Sequence, residues 1–387
     1  MDYLMKRLVA LAASILVQMS LGSIYAWSLF VEPFIKGYGW TFAQTQIVFG
    51  LTISSFTLTM VGMSRKAQGL SPRRTIFLSG LFFGGGYFLA SLSGGNFPGI
   101  LLGIGLLSGM GIGLGYVCPL SVGIAWFPKH KGLITGVMVS GFGLGSVVLS
   151  QFVKKMQAQG MDLLEVFRHI GWGYGVILLI CSLIITLPSP DNKAAINNKQ
   201  IFPASLRKNL EFWSLCGGIF CGTFAGLLII GNLKSIGIYL GESLGGSVLA
   251  VSTFAAGNAC GRIGWGWLSD RWGRVTIPLS LIFISFSLLI LLLMGWHSIS
   301  FSLAAFIVGG GYGACFTVYA ARIAHHWGEA SVVKIYPLVF LCYGVAGILG
   351  PLVGGWLKDL TGDYRVSLYI AFLVSLAGIA LTIKKPR

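Results

Sequence analysis

From Leu8 to Phe30 the chain runs without a charged side chain, and apolar runs of this kind recur along almost its whole length. Each comes close to the ~20 residues that an α-helix needs to cross a hydrocarbon core of ~30 Å. Hydrocarbon offers no water to backbone N–H and C=O groups, so such runs must satisfy those groups within helices. Composition agrees with this reading. Of 387 residues, 55% are hydrophobic and 10% are charged, against about 25% charged in soluble domains. Glycine contributes 56 residues, roughly twice its average share of ~7%. These figures exclude a soluble enzyme, a disordered chain and a secreted disulfide scaffold. Lys and Arg number 27 against 11 Asp and Glu, a net charge of +16. The basic residues interrupt apolar runs instead of forming the continuous stripe that nucleic acid would need. The surplus is therefore topological, as expected of a protein embedded in a lipid bilayer.

Walking the chain predicts twelve spans, at 8–30, 41–63, 75–94, 98–124, 132–153, 168–187, 211–235, 246–268, 275–295, 299–322, 333–356 and 364–383. The expected fold class is an all-α polytopic membrane protein of two six-helix bundles, 1–187 and 211–387. Residues 188–210, with Pro188, Pro190, Asp191, Lys193, Lys199, Arg207 and Lys208, form a polar cytoplasmic linker between them. The first run is too long for a signal-peptide core and is read as a transmembrane helix. With the N-terminus inside, Lys6, Arg7, Arg65, Lys66, Arg73, Arg74, Lys129, Lys131, Arg271, Arg274, Arg322 and Lys334 all fall on the cytoplasmic side with the linker. Only Lys36, Lys154, Lys155, Arg168, Lys358 and Arg365 then lie outside. This bias places both termini in the cytoplasm and the chain in the cytoplasmic (inner) membrane, as a multi-pass protein.

The halves echo each other. Gly62 to Arg74 follows the second span as Gly264 to Arg274 follows the eighth, and Gly109 to Gly115 in the fourth matches Gly309 to Gly313 in the tenth. Parallel repeats with a site between them are the logic of secondary transporters, and small residues let membrane helices approach closely. The seven cysteines, Cys118, Cys181, Cys216, Cys221, Cys260, Cys315 and Cys342, lie in apolar runs, are odd in number and form no CxxC pair. They read as small hydrophobes, not as a disulfide framework or a zinc site. His325, His326 and Glu329 lack further ligands for a metal. No Walker sequence and no nucleophile–base set can be assembled, so the chain is expected to be no enzyme, to hold no cofactor and to use no ATP.

Gly266-Trp267-Leu268-Ser269-Asp270-Arg271-Trp272-Gly273-Arg274 resembles the G-x-x-x-D-R-x-G-R loop of the major facilitator superfamily. In that family the loop ties the cytoplasmic ends of the helix bundles together. The resemblance makes Asp270 the acceptor, with Arg271 and Arg274 its basic neighbours, as gating residues. In the first copy Gln68 stands at the Asp position while Pro72, Arg73 and Arg74 are kept. A neutral Gln68 forms no ion pair, so the N-terminal gate around Arg73 is expected to be weaker or built differently.

A narrower similarity is to the oxalate:formate antiporter family, which includes bacterial monocarboxylate transporters. It rests on Ser23-Ile24-Tyr25-Ala26-Trp27-Ser28, Trp126-Phe127-Pro128, Gly141-Phe142-Gly143-Leu144-Gly145, Gly231-Asn232-Leu233-Lys234-Ser235-Ile236-Gly237 and Asn258-Ala259-Cys260-Gly261-Arg262, in that order along the chain. The oxalate-type members carry a Lys on span eleven. The block Gly344 to Pro351 aligns Tyr343 with it, and this departure favours one carboxylate over two.

Arg262 is the sharpest single feature, a guanidinium near the middle of span eight, where charge costs several kcal/mol unless it faces a cavity or a partner. Its planar fork suits a carboxylate, and Asn258 lies four residues earlier on the same helix face. The sequence holds no Asp or Glu near mid-membrane, Glu32 being at the outer end of span one, so the substrate is expected to supply the anion. The competing reading is a structural Arg paired with a buried acid. Tyr343, Tyr116, Tyr25, Trp27, Tyr312 and Tyr319 are further candidates for substrate contact, each also readable as an interfacial or packing aromatic. Lys234 reads equally as a snorkelling side chain or as a guide for anions.

The expected function is secondary active transport of a small organic anion of lactate, pyruvate or formate type by alternating access. A proton or a counter-anion is the coupling partner, and the protein works as a monomer. An oxalate-type dicarboxylate antiporter and a drug or siderophore efflux carrier remain open alternatives, with a membrane receptor as a third.

Overall fold

The structure is a computed structural model, described over residues 3–66, 71–128, 130–188, 206–293 and 298–383. Most of the 188–210 connector lies outside the described residues, as does Gln68. Every regular element among the described residues is helical. Ten segments are long and apolar enough to cross a membrane. One of these, 245–293, contains two helices in succession.

Contacts divide the chain into two compact units, Met1–Lys129 with Val137–Pro190, and His130–Gly136 with Asp191–Arg387. The first contains α1 (Tyr3–Gly22), α2 (Ser28–Tyr38), α3 (Phe42–Lys66), α4 (Pro72–Ser91), α5 (Phe97–Ile100), α6 (Gly109–Gly115), α7 (Val117–Trp126), most of α8 (Lys131–Ala158) and α9 (Leu163–Ile184). The second takes the opening turn of α8 and then α10 (Leu210–Tyr239), α11 (Leu244–Trp272), α12 (Thr276–Leu293), α13 (Ser298–Ala314), α14 (Val318–Trp327), α15 (Glu329–Thr361) and α16 (Tyr364–Ile383).

Local chemistry sets the helix starts. Ser71 accepts from the Arg74 N–H, with Pro72 in the first turn of α4, where a missing N–H costs nothing. Asp162 and Glu165 close a capping box on α9. Asn209 and Ser243 cap α10 and α11 in the same manner.

Three spans are interrupted. Between α1 and α2 the chain tightens into a 3₁₀ turn, Ser23–Ala26, with the Trp27 N–H bonded to the Ile24 carbonyl at 3.0 Å. Between α6 and α7 the helix bends at Tyr116. Pro119 explains this, because its ring has no N–H for the Gly115 carbonyl and clashes with it. Between α13 and α14 the residues Cys315, Phe316 and Thr317 donate to carbonyls three residues back, at 3.1, 3.3 and 3.0 Å. Ahead of α6 lies a fourth irregularity, a π-helix over Leu101–Ser108 that joins it to α5.

Glycine brings the helices around these interruptions into backbone contact. In the first unit Gly109 and Gly113 lie on the carbonyls of Thr52 and Phe56 in α3; a Cβ at Gly109 would stand 2.7 Å from the Thr52 oxygen. In the second, Gly309 and Gly313 lie on the carbonyls of Phe254 and Asn258 in α11. A Cβ at Gly113 would meet the Met60 nitrogen at 3.1 Å, and one at Gly313 the Arg262 nitrogen at 2.9 Å. The match between the two pairs makes Phe56 the counterpart of Asn258, and Met60 that of Arg262.

Candidate functional site

Arg262 has no exposed surface. Its Nε donates to Asn258 Oδ1 at 2.9 Å, one helical turn earlier on α11, and its guanidinium carbon stands 4.1 Å from the centroid of the Phe316 ring. An amide dipole and an aromatic face are both attractive to a cation, the latter most when desolvated. Phe316 is presented by the break between α13 and α14, and its carbonyl accepts from the Tyr336 hydroxyl at 3.3 Å. Around its ring lie Tyr312 at 5.0 Å and Tyr343 at 5.5 Å, with Phe340 4.6 Å beyond Tyr343. Tyr312 and Tyr319 are fully buried, seated over Gly226 and Gly218 of α10. The Tyr319 hydroxyl has no hydrogen-bond partner among the described residues. A braced guanidinium among tyrosines is a setting in which a carboxylate is bound by charge and oriented by hydroxyl groups.

The first unit places Tyr116 at its own helix break, with the Gln18 amide donating to the Tyr116 carbonyl at 3.0 Å. Tyr116 packs against Phe56 at 5.1 Å and Phe142 at 5.3 Å, and Tyr25 meets Phe142 at 5.3 Å. Trp27 stands apart from this group. Its indole N–H donates to the Thr45 carbonyl at 3.0 Å, and its ring packs on Phe30 and Phe34. Six of the eight predicted binding residues thus fall into one cluster in each unit, Arg262, Asn258, Tyr312 and Tyr343 around Phe316, and Tyr25 and Tyr116 around Phe142, while Trp27 and Tyr319 belong to neither.

Among the expected gating residues, both Asp270 oxygens accept backbone N–H groups, from Gly132 and Leu133, each at 3.0 Å. These amides open α8 and belong to the same unit; a carboxylate there is favoured by the partial positive charge of a helix N-terminus. Arg271 lies 4.0 Å over the Trp267 ring. Arg274 reaches Glu211 at 3.7 Å, while Arg322 binds the other Glu211 oxygen at 2.7 Å. Arg73 is exposed in the first turn of α4.

Sequence reasoning missed Phe316, Tyr336, Gln18 and Glu211. Pro119 was a legible signal for the break at Tyr116, but the carbonyl it leaves without a donor is that of Gly115, so it does not point to Gln18, which bonds the Tyr116 carbonyl. Phe316 carries no such signal, since an aromatic in an apolar run reads as core.

A profile described as Major Facilitator Superfamily matches residues 9–333 and 215–387. The oxalate:formate antiporter of Oxalobacter formigenes is 24% identical over 384 residues, covering 95% of this chain and 88% of that protein. An uncharacterized MFS-type transporter of Escherichia coli, YhjX, is 26% identical over 355 residues, covering 90% and 87%. Mouse monocarboxylate transporter 11 is 27% identical over 314 residues, covering 74% and 67%. Among solved structures, the major facilitator transporter FucP in the outward conformation aligns with a TM-score of 0.69 at 14% identity, covering 97% of this chain and 98% of that one. That likeness speaks for the fold, and the profile match for descent: the chain is a multi-pass membrane transporter belonging to the major facilitator superfamily.

Proposed function

We propose that the protein is a secondary transporter of a small monocarboxylate of lactate, pyruvate or formate type. In this reading twelve spans cross the cytoplasmic membrane, both termini are cytoplasmic, and a single chain works as the transport unit. The observation that carries it is Arg262: a fully buried guanidinium, braced by Asn258 and set against Phe316. Tyr343 beside that ring supplies a hydroxyl where a dicarboxylate would call for a second cation. The antiporter and monocarboxylate-transporter relatives support the same substrate class. Substrate binding neutralises Arg262, which lowers the cost of closing a dry gate over it. Asp270, Arg271, Arg274 and Arg73 would act in that gating. Coupling is to a proton travelling with the substrate or to an exchanged anion.

Purified protein in liposomes tests this reading with labelled lactate, pyruvate, formate and oxalate. Saturable uptake of at least one monocarboxylate is expected. Stimulation by an acid exterior identifies proton symport, and stimulation by internal unlabelled anion identifies exchange. Failure of all four substrates to accumulate or exchange overturns the proposal.

A further inference from the structure

Gln18 lies within the apolar span of α1 and has no exposed surface. The break at Tyr116 orients its carboxamide. A carbonyl can only accept, so it is the amide nitrogen that faces the Tyr116 carbonyl, donating at 3.0 Å. Oε1 is thereby left as a fixed acceptor, and it has no hydrogen-bond partner among the described residues. At the same break Pro119 takes the helical donor from the Gly115 carbonyl, so a second acceptor lies one residue from the carbonyl that Gln18 bonds. The surroundings are apolar and uncharged. Tyr116 packs on Phe56 and Phe142, and Tyr25 packs on Phe142. The helices α1, α3, α6, α7 and α8 carry no Asp or Glu. An unmatched acceptor in an apolar setting is costly. With no acid beside it, this one calls for a neutral hydroxyl or N–H donor and not for an ammonium.

The second unit has the opposite polarity. Its break is lined by the Arg262 guanidinium, which holds only N–H groups, and by the Tyr343 ring, whose hydroxyl can donate. Taken separately, one unit offers donors to a carboxylate and the other offers acceptors to a donor. A ligand that matches both inventories carries a carboxylate and a hydroxyl. Resting on the monocarboxylate reading above, we infer that the carrier selects 2-hydroxy monocarboxylates and that Gln18 Oε1 accepts from their 2-hydroxyl group. Lactate has that donor. Pyruvate presents acceptor oxygens alone, and its keto group would meet Oε1 lone pair against lone pair. Formate carries nothing beyond its carboxylate, and propionate has only hydrogen at the same carbon. Gln18 is thus a specificity-determining residue, whereas Arg262 serves the carboxylate that all four anions share.

The test uses the full-length protein in liposomes with labelled lactate, pyruvate and propionate, which differ only at the second carbon. For the wild type, kcat/KM for lactate should exceed that for either of the others by about tenfold or more, the scale set by one unmatched buried acceptor. Gln18→Met is unbranched and lacks the acceptor. Per folded molecule it should bring the three anions to near-equal kcat/KM, mainly by lowering the value for lactate. A second measurement needs no substitution. Unlabelled 2-fluoropropionate, close to lactate in size but without a donor, should inhibit wild-type lactate uptake as weakly as propionate does. Wild-type protein that carries pyruvate or propionate as well as lactate overturns the inference and leaves the monocarboxylate reading standing. So does a lactate preference retained in Gln18→Met, or inhibition by 2-fluoropropionate as strong as that by lactate. Absence of uptake for all three labelled anions overturns the monocarboxylate reading and this inference with it.

Discussion

In the first unit Met60 lies beside Gly113; in the second, Arg262 lies beside Gly313. The surroundings are otherwise closely parallel. A glycine pair four residues apart sits on two carbonyls of the neighbouring helix, and the same span then breaks at an aromatic, Tyr116 or Phe316. Each break exposes a carbonyl, and each carbonyl is bonded by a side chain from elsewhere, Gln18 or Tyr336. One unit fills the space beside its break with Phe56 and Met60. The other fills it with Asn258 and Arg262. A shared scaffold thus carries packing on one side and a charged site on the other, and the difference comes down to two side chains.

The largest expected effect comes from erasing that difference. Arg262→Met gives the second unit the side chain of the first and should lower uptake by about 30-fold or more, since losing one partner of a buried charged pair costs about 2–5 kcal/mol. Thermal stability should fall by about 1–3 kcal/mol, the cost of leaving the buried Asn258 Oδ1 without its donor. Wild-type uptake in liposomes would end the assignment of Arg262 to the substrate.

Charge also separates the units elsewhere. Glu211 is buried between Arg322 and Arg274, whereas Glu32 pairs with Lys36 at 2.7 Å on the surface of the first unit. Glu211→Gln should destabilise by about 3–5 kcal/mol, as expected when one partner of a buried pair is removed. Glu32→Gln should change stability by about 1 kcal/mol or less. Melting curves of the two variants check this, and equal shifts would remove the contrast.

The likeness of the two breaks is tested by Gln18→Leu and Tyr336→Phe, each of which strips the donor from a buried carbonyl. Each should cost about 1–3 kcal/mol, read by chemical unfolding. A silent variant in one unit and a costly one in the other would show that the breaks are held differently.

The smallest effect concerns helix starts. Asp162 caps α9 and Asp363 accepts the Arg365 N–H at 2.7 Å in the opening turn of α16. Either one changed to Ala should cost about 1 kcal/mol. The Arg365 N–H holds the Asp363 carboxyl below its ordinary value. Its contribution is therefore present above the ordinary carboxylate range and lost as pH falls through the lowered folded value. Asp363→Ala should flatten that acid-side decline in melting temperature.

Much of this architecture was legible in the sequence because the bilayer imposes it. Uninterrupted apolar runs become helices, and glycine clusters in spans four and ten become backbone contacts. Arg262 and Asn258 were legible as a pair because four residues place them on one face. Phe316 was not, since only the break at 315–317 turns its ring towards the guanidinium. The partner of Arg274 was also hidden. Its loop motif directs attention to Asp270 four residues earlier, whereas Glu211 comes from the start of another helix, and no local spacing connects them.

The π-helix at Leu101–Ser108 has a consequence for how this span tolerates change in length. In an ordinary α-helix the loss of one residue turns everything beyond it by about 100° and would swing Gly109 and Gly113 off the carbonyls they rest on. A stretch whose bonds run to the fifth residue already holds a surplus residue. Deleting one residue between 101 and 108 would return the stretch to ordinary winding and leave both flanks facing as they do now. Natural length variation within the span, if selection permits it anywhere, has its least disruptive address there.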